Sequence, residues 1–164
     1  RGNRHNCQSS KENIMNKSYK GKIADGNVLR IRLSTNDGLT GYQIKKLQLF
    51  PCGSSSSFEY ESFVLVNSVQ PLDASGDPVA TATPDFNDPT LLGAAFFTMS
   101  PNATVYPEDL TVVIDEKKVN QDIFISHNNN TGDDAINFYL ELEQVKLSEN
   151  EATVATLKDM RASE

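Results

Sequence analysis

The chain has no tryptophan, only two cysteines (Cys7 and Cys52) and only two histidines (His5 and His127) among its 164 residues. Each scarcity excludes something. Two distant cysteines are no disulfide framework, and free thiols are the expected state. Structural zinc uses ligands paired at CxxC or HxxxH spacing, and neither spacing occurs. Long apolar runs are missing too, since nothing approaches the roughly 18 residues of a membrane-spanning helix. Residues 1–22 lack the apolar centre of a signal peptide. With 38% hydrophobic residues the core is lean, which leaves surface for contacts with neighbouring subunits.

Positive charge is scarce in one place only. The net charge is −7, but residues 1–46 hold ten Lys and Arg against three acids, and residues 47–116 hold none against ten acids. Residues 117–164 hold five against nine. Kept apart in space, these sections give a subunit a positive and a negative side, which steers and registers association. Interleaved strands would average them away. A body of net negative charge repels phosphate, so nucleic acid is not an expected partner. Residues 1–14 are read as a tag, an upstream read-through or a flexible basic arm before Met15, and residues 15–164 as one domain.

What is there has mostly period two. "VLRIRL" sets Leu29, Ile31 and Leu33 against Arg30 and Arg32, as a half-buried strand does. The Asp25-Gly26 turn before it predicts a hairpin between residues 19–23 and 28–33. In "YQIKKLQLF" Tyr42 and Ile44 share one phase and Leu47 and Leu49 the other, which predicts a β-bulge across Lys45-Lys46. "FEYESFVLVNSV" (residues 58–69) reads as a long strand whose phase shifts after Glu61. Residues 71–89, rich in Pro, Asp and small side chains, are an extended loop of a length that is often functional or contact-making. "DPTLLGAAFFTMSP" has Asp88 and Pro89 as helix-start signals and Pro101 as a stop, and a short mid-chain helix is predicted there. It is apolar nearly all round, so periodicity alone leaves a buried strand open. Strands follow at 110–115, 119–127 and 135–147, with "NNNTGDD" as the turn between the last two. Ser148 and Glu151 then form a capping box for an amphipathic helix at 149–161. The predicted fold is all-β: an antiparallel, jelly-roll-like β-sandwich with one short mid-chain helix and a C-terminal helix.

No catalytic constellation emerges. Gly38 and Gly41 resemble half of a phosphate loop, but they enter a strand instead of a Gly-Lys-Ser/Thr helix start, so they read as a strand connection. "STNDG", "DFND" and "NNNTGDD" are oxygen-rich, yet none fits an EF-hand, and Asp and Asn also serve turns through their own backbone. Ser57, Thr98 and Cys52 lack a nucleophile elbow. Glu59/Glu61 and Glu141/Glu143 sit two apart on strands and read as solvated sheet faces. No catalytic, cofactor-binding or metal site is expected.

Four stretches carry a resemblance: "SYKGKIADGNVLRIRLSTNDGLTGYQIKKLQLFP", "FNDPTLLGAAFF", "VNQDIFISH" and "AINFYLELEQVKLSENEATVATLKDMR". They resemble a small family of virion structural proteins of marine tailed bacteriophages, of cyanophage and pelagiphage type. The resemblance covers nearly everything from Met15 onward, and the last block is its most distinctive part. It implies a non-enzymatic particle component located in the virion and assembled in the host bacterial cytoplasm. Its expected partners are its own copies and other virion proteins, such as the major capsid protein or tail components, and no membrane. A capsid decoration protein is the first expectation. A tail-associated or glycan-binding module is the alternative, with Tyr42, Tyr60, Tyr106 and Tyr139 as candidate aromatic platforms.

Overall fold

The computed structural model describes residues 15–33, 38–52, 60–81, 83–99 and 109–162, apart from the side chains of residues 60, 109, 110 and 158–162. The elements in chain order are β1 (Asn16–Ile23), β2 (Val28–Ile31), β3 (Thr40–Pro51), β4 (Tyr60–Asn67), β5 (Leu91–Met99), β6 (Asp109–Ile114), β7 (Ile123–Asn129), β8 (Ile136–Lys146) and α1 (Glu149–Ala162). The fold is mostly β, with two antiparallel sheets and a C-terminal helix. A small sheet has the order β1-β8-β3, and a large one the order β2-β7-β4-β5-β6. Their inner faces contribute to a single core that includes Ile23, Ile44, Leu140 and Leu142 from the small sheet and Val64, Val66, Ile123 and Ile125 from the large one.

The small sheet follows the period-two pattern closely. In β8, Ile136, Phe138, Leu140 and Leu142 are buried while the residues between them are partly exposed. In β3 the register jumps from Ile44 to Lys46. The extra residue lets Ile44 and Leu47 both face inward although they are an odd number of positions apart, and this is the expected bulge. The capping box forms as well: the Ser148 N–H donates to Glu151 Oε2 at 3.0 Å and the Glu151 N–H to Ser148 Oγ at 3.3 Å.

Several expectations need correction. The mid-chain helix is instead strand β5, paired with β4 on one side and β6 on the other. It is apolar all round because a central strand is covered on both faces. Asp88 does not cap a helix. Its Oδ1 accepts the Thr90 N–H at 2.8 Å, a side-chain turn that leads into the strand. The predicted hairpin of residues 19–23 with 28–33 is also absent, because β1 pairs with β8 and β2 with β7. The Asp25-Gly26 corner, with Gly26 at φ 72°, crosses between sheets. "NNNTGDD" likewise joins strands of different sheets. Residues 119–122 precede β7 and are not part of it; Val119 forms a bridge with Tyr42 on the β3 edge. In β4 the register is regular through Glu61 and shifts only at Val66/Asn67. The apparent phase change came from Ser62, which faces inward, and from Phe63 and Leu65, which face outward.

Candidate interaction surfaces

The outer face of the small sheet consists of rows running across β1, β8 and β3: Lys22–Asn137–Phe50, Lys20–Tyr139–Gln48, Ser18–Glu141–Lys46 and Asn16–Glu143–Gln43. The two ends differ in charge balance. At the glutamate end, Lys45 Nζ lies 2.6 Å from Glu143 Oε2 and Asn16 donates to Glu141 at 2.9 Å. Basic and acidic strands interleave there and neutralise each other. At the other end, Lys20, Lys22 and Lys46 border a hollow of ≈ 620 Å³ with Tyr139 at its centre and Phe50 at its flank. Lys46 Nζ sits 5.9 Å from the Tyr139 ring centre, within cation–π range. Among the described residues no carboxylate lines this hollow and these three lysines form no ion pair; Glu141, the cross-strand neighbour of Lys46, marks its edge and accepts the Tyr139 hydroxyl at 3.5 Å. Phe50 is 54% exposed.

A second surface is the connection from β4 to β5. Its residues carry Asp73, Asp77, Asp85 and Asp88 and no base. It is built, with a bridge between Leu72 and Pro78 and Gly76 at φ 86° closing the turn. Asp73 Oδ1 accepts the Ser75 and Asp77 N–H groups at 2.8 and 2.9 Å, and Asp85 Oδ1 accepts that of Asn87 at 2.9 Å. These aspartates therefore hold turns, the ordinary use of Asp in such loops. At its tips Leu72 and Phe86 are 55% and 65% exposed. Among the described residues no group of three or more His, Cys, Asp or Glu is placed to hold a metal.

A third feature is a groove of ≈ 800 Å³ beside α1, lined by Leu92, Val119, Leu147, Val154 and Ala155 among others. The helix is mounted by polar contacts. Asn120 Nδ2 donates to the Ala152 carbonyl, to Thr156 Oγ1 and to the Gly38 carbonyl at 3.1–3.4 Å. Lys118 and Glu151 pair at 3.0 Å. The Glu151 carboxyl is lowered to about 2 by the Ser148 N–H, by Lys118 and by the Ser148 hydroxyl. The expected amphipathic face is only partly used, because Val154 and Leu157 remain exposed.

A fourth feature lies inside. His127, Ser62 and Asn129 face the core from β7 and β4 and are buried. Burial pushes the His127 imidazole below its ordinary value, while the Ala24 and Ile23 carbonyls and the Asp25 charge oppose the shift. Neither ring nitrogen of His127 nor the Ser62 hydroxyl makes a hydrogen bond of good distance and angle among the described residues, the nearby Ala24 and Ile23 carbonyls included. Serine and imidazole thus share a region without forming a relay, which needs a hydrogen bond between nucleophile and base.

The remaining candidates are dispersed. Tyr42 is buried and its hydroxyl accepts Lys17 Nζ at 2.7 Å, a bond that raises the Lys17 pKa. It is no exposed platform. Tyr139 does lie on an outer face. Cys52 is exposed, and its sulfur accepts Asn137 Nδ2 at 3.1 Å. Glu141 and Glu143 occupy the neutralised end of the small sheet. Gly41, read from the sequence as a turn glycine, has a packing role: a Cβ there would lie 2.9 Å from Leu147 Cγ. Residues 1–14 with His5 and Cys7, residues 34–37 of "STNDG", Ser57, Glu59, Pro101, Tyr106 and the Tyr60 side chain lie outside the described residues. The sequence reading missed the lysine–aromatic hollow because its members come from three strands, two of them far apart in the chain. The signal was present in Lys20, Lys22 and Tyr139, each on the polar phase of its strand. A scan against protein-family models finds no match, and neither does a search of curated proteins.

Proposed function

We propose that this chain is a non-enzymatic structural protein of a phage virion, a capsid decoration or accessory protein that assembles through protein–protein contacts. The proposed architecture is a β-sandwich of jelly-roll type, its two sheets closing over the common core. One observation carries the reading: a built, acidic, Phe-tipped connection and an unneutralised lysine–aromatic hollow are both exposed on one small chain. Surfaces of opposite sign with apolar centres suit protein association. On a repeating lattice, modest single contacts are multiplied by multivalency. Its partners are its own copies and other virion proteins, such as the major capsid protein.

The test is light scattering over a concentration series at low and high salt, with co-sedimentation on purified particles. Salt-sensitive oligomers or particle binding is the expected result. A monomer at every concentration that ignores capsids and tails would overturn the reading. A tail-associated, glycan-reading role is the second reading, favoured by Tyr139 and Phe50 beside Asn137 and Gln48 on an open sheet face. A glycan array decides it: binding lost in Tyr139→Ala would support this role over decoration.

A further inference from the structure

We propose that the lysine–aromatic hollow on the small sheet is the socket for the acidic connection of a second copy, with Phe86 entering between Phe50 and Tyr139. This rests on the assembly reading above and names the surfaces that carry it. Three observations converge. Lys20, Lys22 and Lys46 put three positive charges around the Tyr139 and Phe50 rings; among the described residues no carboxylate lines the hollow, and Glu141 stands at its edge, where it accepts the Tyr139 hydroxyl at 3.5 Å. The β4–β5 connection supplies four aspartates and no base, and it holds Phe86 at 65% exposure between Asp85 and Asp88. The aspartate-braced turns and the Leu72–Pro78 bridge also fix its shape, so little conformational entropy is lost on docking.

Placement sets the symmetry. The hollow is on the outer face of the small sheet. Phe86 lines a shallow hollow together with Leu91, Ala94 and Val113, which belong to the large sheet. Socket and plug therefore sit on different sheets of the same chain, and each copy offers one of each. The contact is head-to-tail, and repeating it gives a closed ring or an open string, whichever the rotation dictates.

A charge-swap pair tests it. Lys20→Glu with Lys22→Glu takes the socket from +3 to −1. Ala74→Lys, Asp77→Lys, Thr81→Lys and Asn87→Lys leave the bracing Asp73 and Asp85 in place and take the connection from −4 to +1. Each variant alone then sets like charges against each other, and its self-association should weaken on the order of a hundredfold in sedimentation velocity at low salt. Mixed in equal amounts, the two should assemble again, because each now carries the complement of the other. That recovery also shows that both variants are folded. Phe86→Ser should weaken association on its own without changing its salt dependence. If the wild type assembles and the charge variants assemble equally well, or if mixing restores nothing, the socket is wrong while the assembly reading stands. A wild type that stays monomeric at low salt overturns the socket, and it overturns the assembly reading as well only if the protein also ignores capsids and tails. A monomer that instead binds single-stranded DNA through Lys20 and Lys22 would assign the hollow to a polyanion and overturn the proposal.

Discussion

The two sheets divide polarity in opposite ways. The small sheet is simply amphipathic: its inner face carries Ile23, Ile44, Leu47, Ile136, Phe138, Leu140 and Leu142, and its outer face carries lysines, glutamates and Tyr139. The large sheet mixes the two. Ser62, His127 and Asn129 point into its inner face, while Leu65, Leu91 and Ala94 form a separate buried cluster on its outer side. Phe63 and Phe96 stack there with ring centres 4.6 Å apart. A sheet that is cleanly divided supplies the core with one face and keeps its charges on the other. A sheet that is apolar on both faces has less of its stability in the common core, and it tolerates polar groups inside.

Truncations should separate the two. Leu140→Ala, at the centre of the small sheet's inner face, is expected to cost about 3–4 kcal/mol, as complete burial of a leucine in a dense core implies. Leu65→Ala, in the small outer cluster, is expected to cost less, about 2 kcal/mol, because fewer neighbours lose contacts. Urea unfolding measures both, and equal losses would show that the outer cluster is as well packed as the core. Gly41→Ala is next. Its Cβ would meet Leu147 Cγ and Cδ2 at 2.9 Å, which forces the residue that leads into α1 away from β3. The expected loss is about 1–2 kcal/mol, checked by the same unfolding curves, and Leu147→Ala in the Gly41→Ala background should relieve part of the strain.

The same division explains which parts of the structure were legible in the sequence. β8 and β3, including the Lys45 bulge, could be read because their apolar residues keep to one face. β5 could not, since Leu91, Leu92, Ala94 and Phe97 are buried on both faces and leave no period to choose strand over helix. β4 misled in the opposite way, through an inward serine and an outward leucine. The false hairpin at Asp25-Gly26 came from turn chemistry, which reports a reversal of the chain but not whether it returns to the same sheet. Charge was legible by segment. Its neutralisation at Glu141 and Glu143, and not at Lys20 and Lys22, depends on register between strands that lie far apart in the chain.

His127 offers a smaller test of the large sheet's tolerance. Its imidazole lies below the usual 6.5 in the folded chain through burial, so the unfolded chain takes up the proton first. Stability should therefore fall as the pH drops below 6.5 and go on falling until the folded-state value is passed. His127→Leu removes this loss. Between pH 7 and pH 5 its stability should change less steeply than that of the wild type, and at pH 7 it should lie within about 1 kcal/mol, since a buried polar group without a well-formed hydrogen bond has been replaced by an apolar one. A variant with the wild-type slope would show that the imidazole is not what titrates.

The smallest effect is expected where α1 joins the seam between the sheets. Glu151 accepts the Ser148 N–H and pairs with Lys118 of the β6–β7 connection, and its carboxyl titrates near 2 instead of 4.5. A carboxylate lowered in the folded state stabilises above its unfolded value and loses that contribution as the pH falls from 4.5 toward 2. The Ser148 amide should thus stay protected from hydrogen exchange at pH 4 and lose protection near pH 2. In Glu151→Gln it should exchange faster even at pH 7, while the amides of β8 keep their rates. Acceleration throughout β8 would mean that the cap helps to hold the small sheet; an unchanged Ser148 would mean that the helix keeps its first turn without the carboxylate.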